Sequence, residues 1–268
     1  MYKYDGLVVY QAHDDEGILE VVEHNGIRSL HFGSSSRQSC ISLHEPEILQ
    51  LPYARAMTAW RLFKDELDDV LLIGLGGGSL ARYILYHYPE CRLTAVEFRA
   101  SVVKIARSHF GLPLDGRLKI VTGDGGAYIK QQALNPDQTY SLIIIDAFDV
   151  DGLADSVASI AFFDACKRLL KPDGMLAINL WESERNVTPV CFDWLERIFN
   201  DKVLKLPVRN RGNLIAMGFN PALPRVDWKV IKRKVVELEE QFHIEYSLLL
   251  KDIASNNPYN IHTLINKL

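Results

Sequence analysis

Residues 70–87 constrain the fold of this chain more than any other stretch. Val70-Leu71-Leu72-Ile73 is an apolar run without polar alternation, the pattern of a strand buried on both faces. Gly74-Leu75-Gly76-Gly77-Gly78-Ser79 follows at once, and residues 80–87 then carry apolar side chains at helical spacing. Strand, glycine turn and helix in this order bring backbone N–H groups and a helix N-terminus against a ligand. A second strand, Leu93-Thr94-Ala95-Val96-Glu97, ends in an acid 23 positions after Gly74. Nucleotide sites set a carboxylate on ribose hydroxyls at about this spacing. The stretch predicts a nucleoside-binding α/β unit; the plainer alternative is a structural glycine turn.

The alternation continues downstream. Residues 101–110 read as a helix with Ser101 as N-cap and Gly111 as its stop. The strand Leu118-Lys119-Ile120-Val121 leads into Gly123-Asp124-Gly125-Gly126 and a helix through Gln132, and residues 140–145 form a buried strand ending at Asp146. Residues 158–170 are helical, Lys171-Pro172-Asp173-Gly174 is a turn, and residues 175–180 are the next strand. A helix at 190–199 and strands at 202–208 and 213–219 close the series. Residues 221–268 read as mostly helical, expected to cover the sheet or contact another subunit.

Upstream, residues 46–64 read as one helix bent or interrupted by Pro52. Residues 6–11, 18–23, 27–32 and 38–43 are short strand-like segments, with Asn25-Gly26 as a hairpin signal. Such a small sheet has little core of its own and should pack on the larger unit or on another subunit. The expected division is a β-rich N-terminal domain over 1–45 and a Rossmann-like nucleoside-binding domain over 46–268.

Charge and cysteine usage narrow the setting. A formal net charge of −4 argues against general affinity for nucleic acid or an anionic membrane. Cys40, Cys91, Cys166 and Cys191 are far apart, which suggests neither a zinc site nor a disulfide framework and fits a reducing compartment. The N-terminal residues lack an apolar h-region and no apolar run approaches a membrane span, so a cytoplasmic protein is expected. The histidines show no metal-ligand spacing, and no metal is expected. No Gly-x-Ser-x-Gly elbow surrounds Ser79, and no Walker lysine follows the glycines.

In an α/β sheet the chemistry belongs at the carboxyl ends of the strands. Glu97, Asp124 and Asp146 all stand there, and an acid at such a point can also be a simple helix cap. Asp146 and Asp149 share one irregular loop, where paired carboxylates can hold an amine or accept its proton. An NAD site is the rival reading from fold alone; the Asp124 and Asp146 pair favours an adenosyl-sulfonium donor.

The run from Val70 to Trp181 resembles the catalytic domain of the spermidine/spermine synthase family, polyamine aminopropyltransferases on the class I methyltransferase-like Rossmann fold. The matching pieces are residues 70–78, Ala95-Val96-Glu97, Gly123-Asp124-Gly125, Ile143-Ile144-Ile145-Asp146 with Asp149, and Leu170-Lys171-Pro172-Asp173-Gly174. Gln38-Ser39 resembles the end of the family's small N-terminal sheet. The resemblance implies helices on both faces of the main sheet and a homo-oligomer, in its simplest form a homodimer. It implies a donor held by Gly74, Gly76, Gly77, Gly78 and Gln38, with Glu97 on the ribose. Asp124 would take the adenine amino group, with the Gly125 N–H near the ring. Asp146 would be the base that deprotonates the attacking amine, and Asp149 would help to hold the polyamine. The donor would be S-adenosylmethionine or its decarboxylated form.

Two departures from the family pattern bear on the donor. The family carries an Asp between its glycines, which grips the donor's amino group; that position here is Gly77. The family's Tyr-His-Glu aligns with Tyr53-Ala54-Arg55. Loss of the acid, with Arg55 or Arg82 near the tail pocket, relaxes repulsion toward a carboxylate. Phe148 places an apolar wall in the acceptor loop. The sequence therefore leaves aminopropyl transfer, methyl transfer from S-adenosylmethionine, and a non-catalytic nucleoside-binding protein as readings.

Overall fold

The computed structural model describes residues 3–135, 139–148, 152–182, 184 and 186–266. A seven-stranded sheet forms its centre, built from β5 (Asp69–Ile73), β6 (Arg92–Glu97), β7 (Leu118–Thr122), β8 (Tyr140–Ile145), β9 (Leu170–Trp181), β10 (Val203–Pro207) and β11 (Asn213–Phe219). Their spatial order is β10-β11-β9-β8-β5-β6-β7. β5 to β9 pair in parallel, and β11 runs antiparallel to both of its neighbours.

The missing alternation in β5 has a direct cause. Val70 and Leu72 lie in one apolar core, and Leu71 and Ile73 in another on the opposite face. Leu142 and Ile144 divide from Ile143 and Ile145 in the same way. Strands covered on both sides need apolar residues at every position. The first face is covered by α1 (Pro52–Met57), α2 (Ser79–His87), α7 (Trp228–Phe242) and α8 (Tyr246–Asn256). The second is covered by α4 (Gly125–Gln132), α5 (Ile160–Leu169) and α6 (Thr188–Phe199). The C-terminal segment thus covers the sheet, its buried face formed by Ile231, Val235, Leu238, Phe242 and Leu250.

A separate antiparallel sheet precedes it: β1 (Leu7–Asp14), β2 (Gly17–His24), β3 (Ile27–His31) and β4 (Ser39–Ser42), in that order. Asn25 and Gly26 both take positive φ in the β2–β3 turn, as the hairpin signal requires. Leu19, Val21, Leu30 and Ile41 share one small core with Val102, Ile105 and Phe110 of α3 (Ala100–Ser108) and the residues just past it. The sheet therefore packs on the larger unit. Its edge strand β1 leaves Leu7, Val8, Val9 and Tyr10 exposed.

Three local readings are corrected. Residues 46–64 are not one helix: α1 starts at Pro52, and a 3-10 segment, Thr58–Leu62, follows it. Proline suits the first helical position and holds Leu51 extended, so it opens the helix instead of bending it. Ser101 does not cap α3; the helix begins at Ala100, and the Ser101 hydroxyl bonds the Asp14 side chain across to β1. Residues 171–174 do not precede β9 but bulge within it, since Leu170 pairs with Tyr140 and Met175 with Leu142.

Candidate active site

The chain leaves β5 toward β6 and β7, then returns to place β8 on the other side of β5. That reversal lies at β5 and β8, and α/β sheets bind ligands beyond the carboxyl ends of such strands. Gly74 follows β5 with φ +91, and its N–H bonds the Val96 carbonyl at 2.8 Å. A side chain there would run into the backbone of Asp146, whose own N–H bonds the Ile73 carbonyl at 2.8 Å. Gly76 and Gly78 also take positive φ, and Gly78 opens α2.

Glu97, 8% exposed, ends β6 beside this loop. Its Oε2 accepts the N–H groups of Leu75 at 2.9 Å and Gly76 at 3.3 Å, while Oε1 accepts that of Arg99 at 3.0 Å. A carboxylate has about four acceptor positions, so hydroxyl donors can still be received. Arg99 is buried and paired with Asp14 at 2.6 Å, which clips β1 to the same corner.

Asp124 is the N-cap of α4, its Oδ1 accepting the Ala127 N–H at 2.7 Å. The capping reading is therefore correct for one oxygen, and Oδ2 has no partner among the described residues. A Cβ at Gly125 would collide with the Ile73 side chain, so the start of α4 lies hard against β5.

Asp146 follows β8, and its Oδ1 accepts Nδ2 of Asn179 at 2.9 Å. Burial of the carboxyl raises its pKa; the Asn179 amide and the Tyr53 hydroxyl pull it down, and the charge of Glu97 pushes it up. Burial likewise pushes the Tyr53 phenol well up, with the charge of Asp146 adding to it. The Tyr53 hydroxyl also lies 3.1 Å from the Gln38 carbonyl, so its single proton serves either that oxygen or the Asp146 carboxylate. Gln38 is thus tied to α1 through its backbone, just before β4. Ser39 next to it places Oγ 2.9 Å from Ser79 Oγ, joining β4 to the first residue of α2. Asp149 lies outside the described residues.

At Gly77 an added Cβ would stand 2.8 Å from the Phe110 ring and 2.8 Å from Ser39 Oγ. The space beside this glycine is occupied from α3 and β4. Neither arginine considered above is directed there: Arg55 pairs with Glu245 at 3.1 Å and donates to the Gln50 carbonyl, and Arg82 donates to the Phe110 carbonyl at 2.6 Å. Beyond Asp146, Phe148 lies 6.0 Å from Trp181 between ring centroids, and Trp181 is 42% exposed.

The profile of the spermine/spermidine synthase domain matches residues 51–187. A polyamine aminopropyltransferase of Neisseria meningitidis is 34% identical over 242 residues, 90% of each chain. The chain belongs to the spermine/spermidine synthase family. This is a family of transferases, and the seven-stranded sheet with its small N-terminal partner is shared with solved members. A probable spermidine synthase from Corynebacterium glutamicum superimposes with a TM-score of 0.71 at 21% identity, over 86% of this chain and 88% of that one. Human methyltransferase-like protein 13, solved with SAH, gives 0.61 at 22% identity over 72% of this chain and 89% of its own, a likeness of fold alone.

Other residues stand beside the predicted site residues. Asn179 is one; its signal was a lone amide within an otherwise apolar strand. Trp181, brought in by β9, is another, and Ser39, named with Gln38 in the sequence, arrives on β4. Phe98, 58% exposed directly after Glu97, offers a ring face at the same corner. No helix among the described residues is long and apolar enough to cross a membrane. All four cysteines are free and buried.

Proposed function

We propose that the chain transfers an aminopropyl group from decarboxylated S-adenosylmethionine to an amine. The observation that carries this reading is the placement of Glu97, Asp124 and Asp146 at the carboxyl ends of β6, β7 and β8, around the glycine loop that follows β5. Glu97 receives the ribose hydroxyls, Oδ2 of Asp124 receives the adenine amino group, and the Gly125 N–H faces the ring. Gly74, Gly76, Gly77 and Gly78 let the donor approach the backbone, with Gln38 at the rim. The amine lone pair attacks the propyl carbon next to the sulfonium, the C–S bond breaks, and its electron pair stays on sulfur to give methylthioadenosine. Asp146 takes the proton from the attacking nitrogen, since a protonated amine is no nucleophile. Asp149 helps to hold the acceptor, whose methylenes lie against Phe148 and Trp181.

One observation favours a second reading, methyl transfer from S-adenosylmethionine itself. The acid that would grip the donor's amine is Gly77, and Phe110 fills the space beside it. The reading further includes a homo-oligomer in the cytoplasm, without nucleic-acid or membrane partners. The division at residues 45 and 46 belongs to it too, supported by the end of the first sheet at Ser42.

Calorimetry with S-adenosylmethionine, its decarboxylated form and methylthioadenosine, followed by product analysis with a diamine, tests both readings. Methylthioadenosine release with the decarboxylated donor is the expected result. S-adenosylhomocysteine release from S-adenosylmethionine would select the second reading. Binding of none of the three would overturn both.

A further inference from the structure

β9 is apolar from Met175 to Leu180 except at Asn179, which is 2% exposed. A buried amide is costly unless its groups are satisfied, and both ends of this one are. Nδ2 donates to Asp146 Oδ1 at 2.9 Å, and Oδ1 accepts Nδ2 of Asn213 at 3.0 Å. Asn213, 9% exposed, opens the neighbouring strand β11. It sits opposite Trp181 while Ile215 sits opposite Asn179, so the two amides meet diagonally across the ladder.

This row has a direction. An ionised carboxylate only accepts, so Asn179 must turn its NH2 group toward Asp146 and leave its carbonyl for Asn213. Asn213 must then present its own NH2. An Asn179 amide turned the other way would set a carbonyl oxygen against the carboxylate.

We infer that Asn179 and Asn213 form a positioning relay that holds an N–H donor on Oδ1 of Asp146 and keeps this carboxylate oriented and charged. Asn213 acts through Asn179, its side-chain partner among the described residues. The inference rests on the reading of Asp146 as the proton acceptor in transfer. Among the described residues, the titratable groups facing Asp146 are Tyr53 from α1 and Glu97 from β6. Tyr53 and Asn179 favour the charged carboxyl, whereas burial and Glu97 oppose it. Loss of the amide donor shifts that balance toward the neutral acid.

The test follows Asp146 directly, by carbon NMR of the aspartate carboxyls, with Asp146→Asn to assign its signal. Asn179→Leu should move the titration to higher pH and lower kcat/KM about ten-fold near neutral pH, with recovery in alkali. Methylthioadenosine affinity in alkali should not change. Asn213→Val should shift the titration in the same direction by less. Asn213→Ser, which keeps a donor, should restore part of the wild-type profile and protects the test if the leucine variant does not fold. An unchanged Asp146 titration in folded Asn179→Leu, or identical profiles for Asn213→Val and wild type, would overturn the relay. Shifted titrations in a protein that transfers no group from any donor would uphold the relay and count against the proposed activity.

Discussion

Glu97 Oε2 accepts the N–H of Leu75 at 2.9 Å, so the acid at the end of β6 holds the glycine loop at the end of β5. The residue proposed to grip the ribose also shapes the turn under it. Glu97→Ala should weaken methylthioadenosine binding by tens of fold, from the loss of charge-assisted bonds worth about 2–4 kcal/mol. Glu97→Gln, which keeps one acceptor oxygen, should fall between. Titration calorimetry measures both, and wild-type affinity in the alanine variant would remove Glu97 from the site.

Asp146 gives a prediction with a definite sign. Burial raises its pKa in the folded chain, so folding favours the neutral carboxyl. Its contribution to stability is present below the unfolded carboxylate range and is lost as pH rises through the folded value. Asp146→Asn should therefore melt above wild type near neutral pH, and the gap should close on acidification. Turnover should fall by roughly 10²–10⁴-fold, the usual share of a general base. In the wild type, turnover should decline as pH falls through the raised value. Melting curves and pH–rate profiles across that range check both halves, and wild-type turnover in the variant would exclude Asp146 as the base.

Donor choice can be read at Gly77. Gly77→Asp alone meets the Phe110 ring, so we pair it with Phe110→Leu. The double variant should favour the decarboxylated donor over S-adenosylmethionine by about ten-fold more than Phe110→Leu does. A charge interaction of roughly 1–3 kcal/mol in a partly desolvated pocket sets that scale. The affinity ratio is the quantity to measure. A wild type already selective for the decarboxylated donor by about a hundred-fold would show that the lost acid is not needed.

Trp181 should act on the acceptor alone. Trp181→Ala is expected to raise KM for a diamine about three- to ten-fold, as aromatic and cation–π contacts of about 0.5–1.5 kcal/mol imply. Donor affinity should stay at its wild-type value. Initial-rate kinetics in both substrates separate the effects, and an equal loss for donor and acceptor would place the indole elsewhere in the mechanism.

The central strands were legible because each of their residues meets a core, so Leu71 and Leu72 could only be read one way. The acids at strand ends were legible for the same reason, since the end of a hydrophobic run marks the mouth of the sheet. Other features depend on partners distant in sequence. Ser101 has a cap residue's chemistry, and only the approach of Asp14 diverts its hydroxyl. Gly77 reads as a missing acid, whereas its filled neighbourhood depends on Phe110 arriving from beyond α3. The Asn179–Asn213 contact joins residues 34 positions apart, and nothing local to either specifies it. The break expected at Pro52 is where α1 begins, and the helical reading failed over residues 46–51, where proline's restriction of Leu51 is a backbone effect.

The first sheet shares its core with Val102, Ile105 and Phe110, and among the described residues it closes on no other apolar layer. During synthesis its four strands leave the ribosome well before that layer exists. At ~5–20 residues per second the wait is on the order of several seconds, with Leu19, Val21, Leu30 and Ile41 uncovered throughout. The first sheet is therefore completed only once residues 100–110 are made, and a slow codon run ahead of residue 110 would lengthen the exposure of its apolar face.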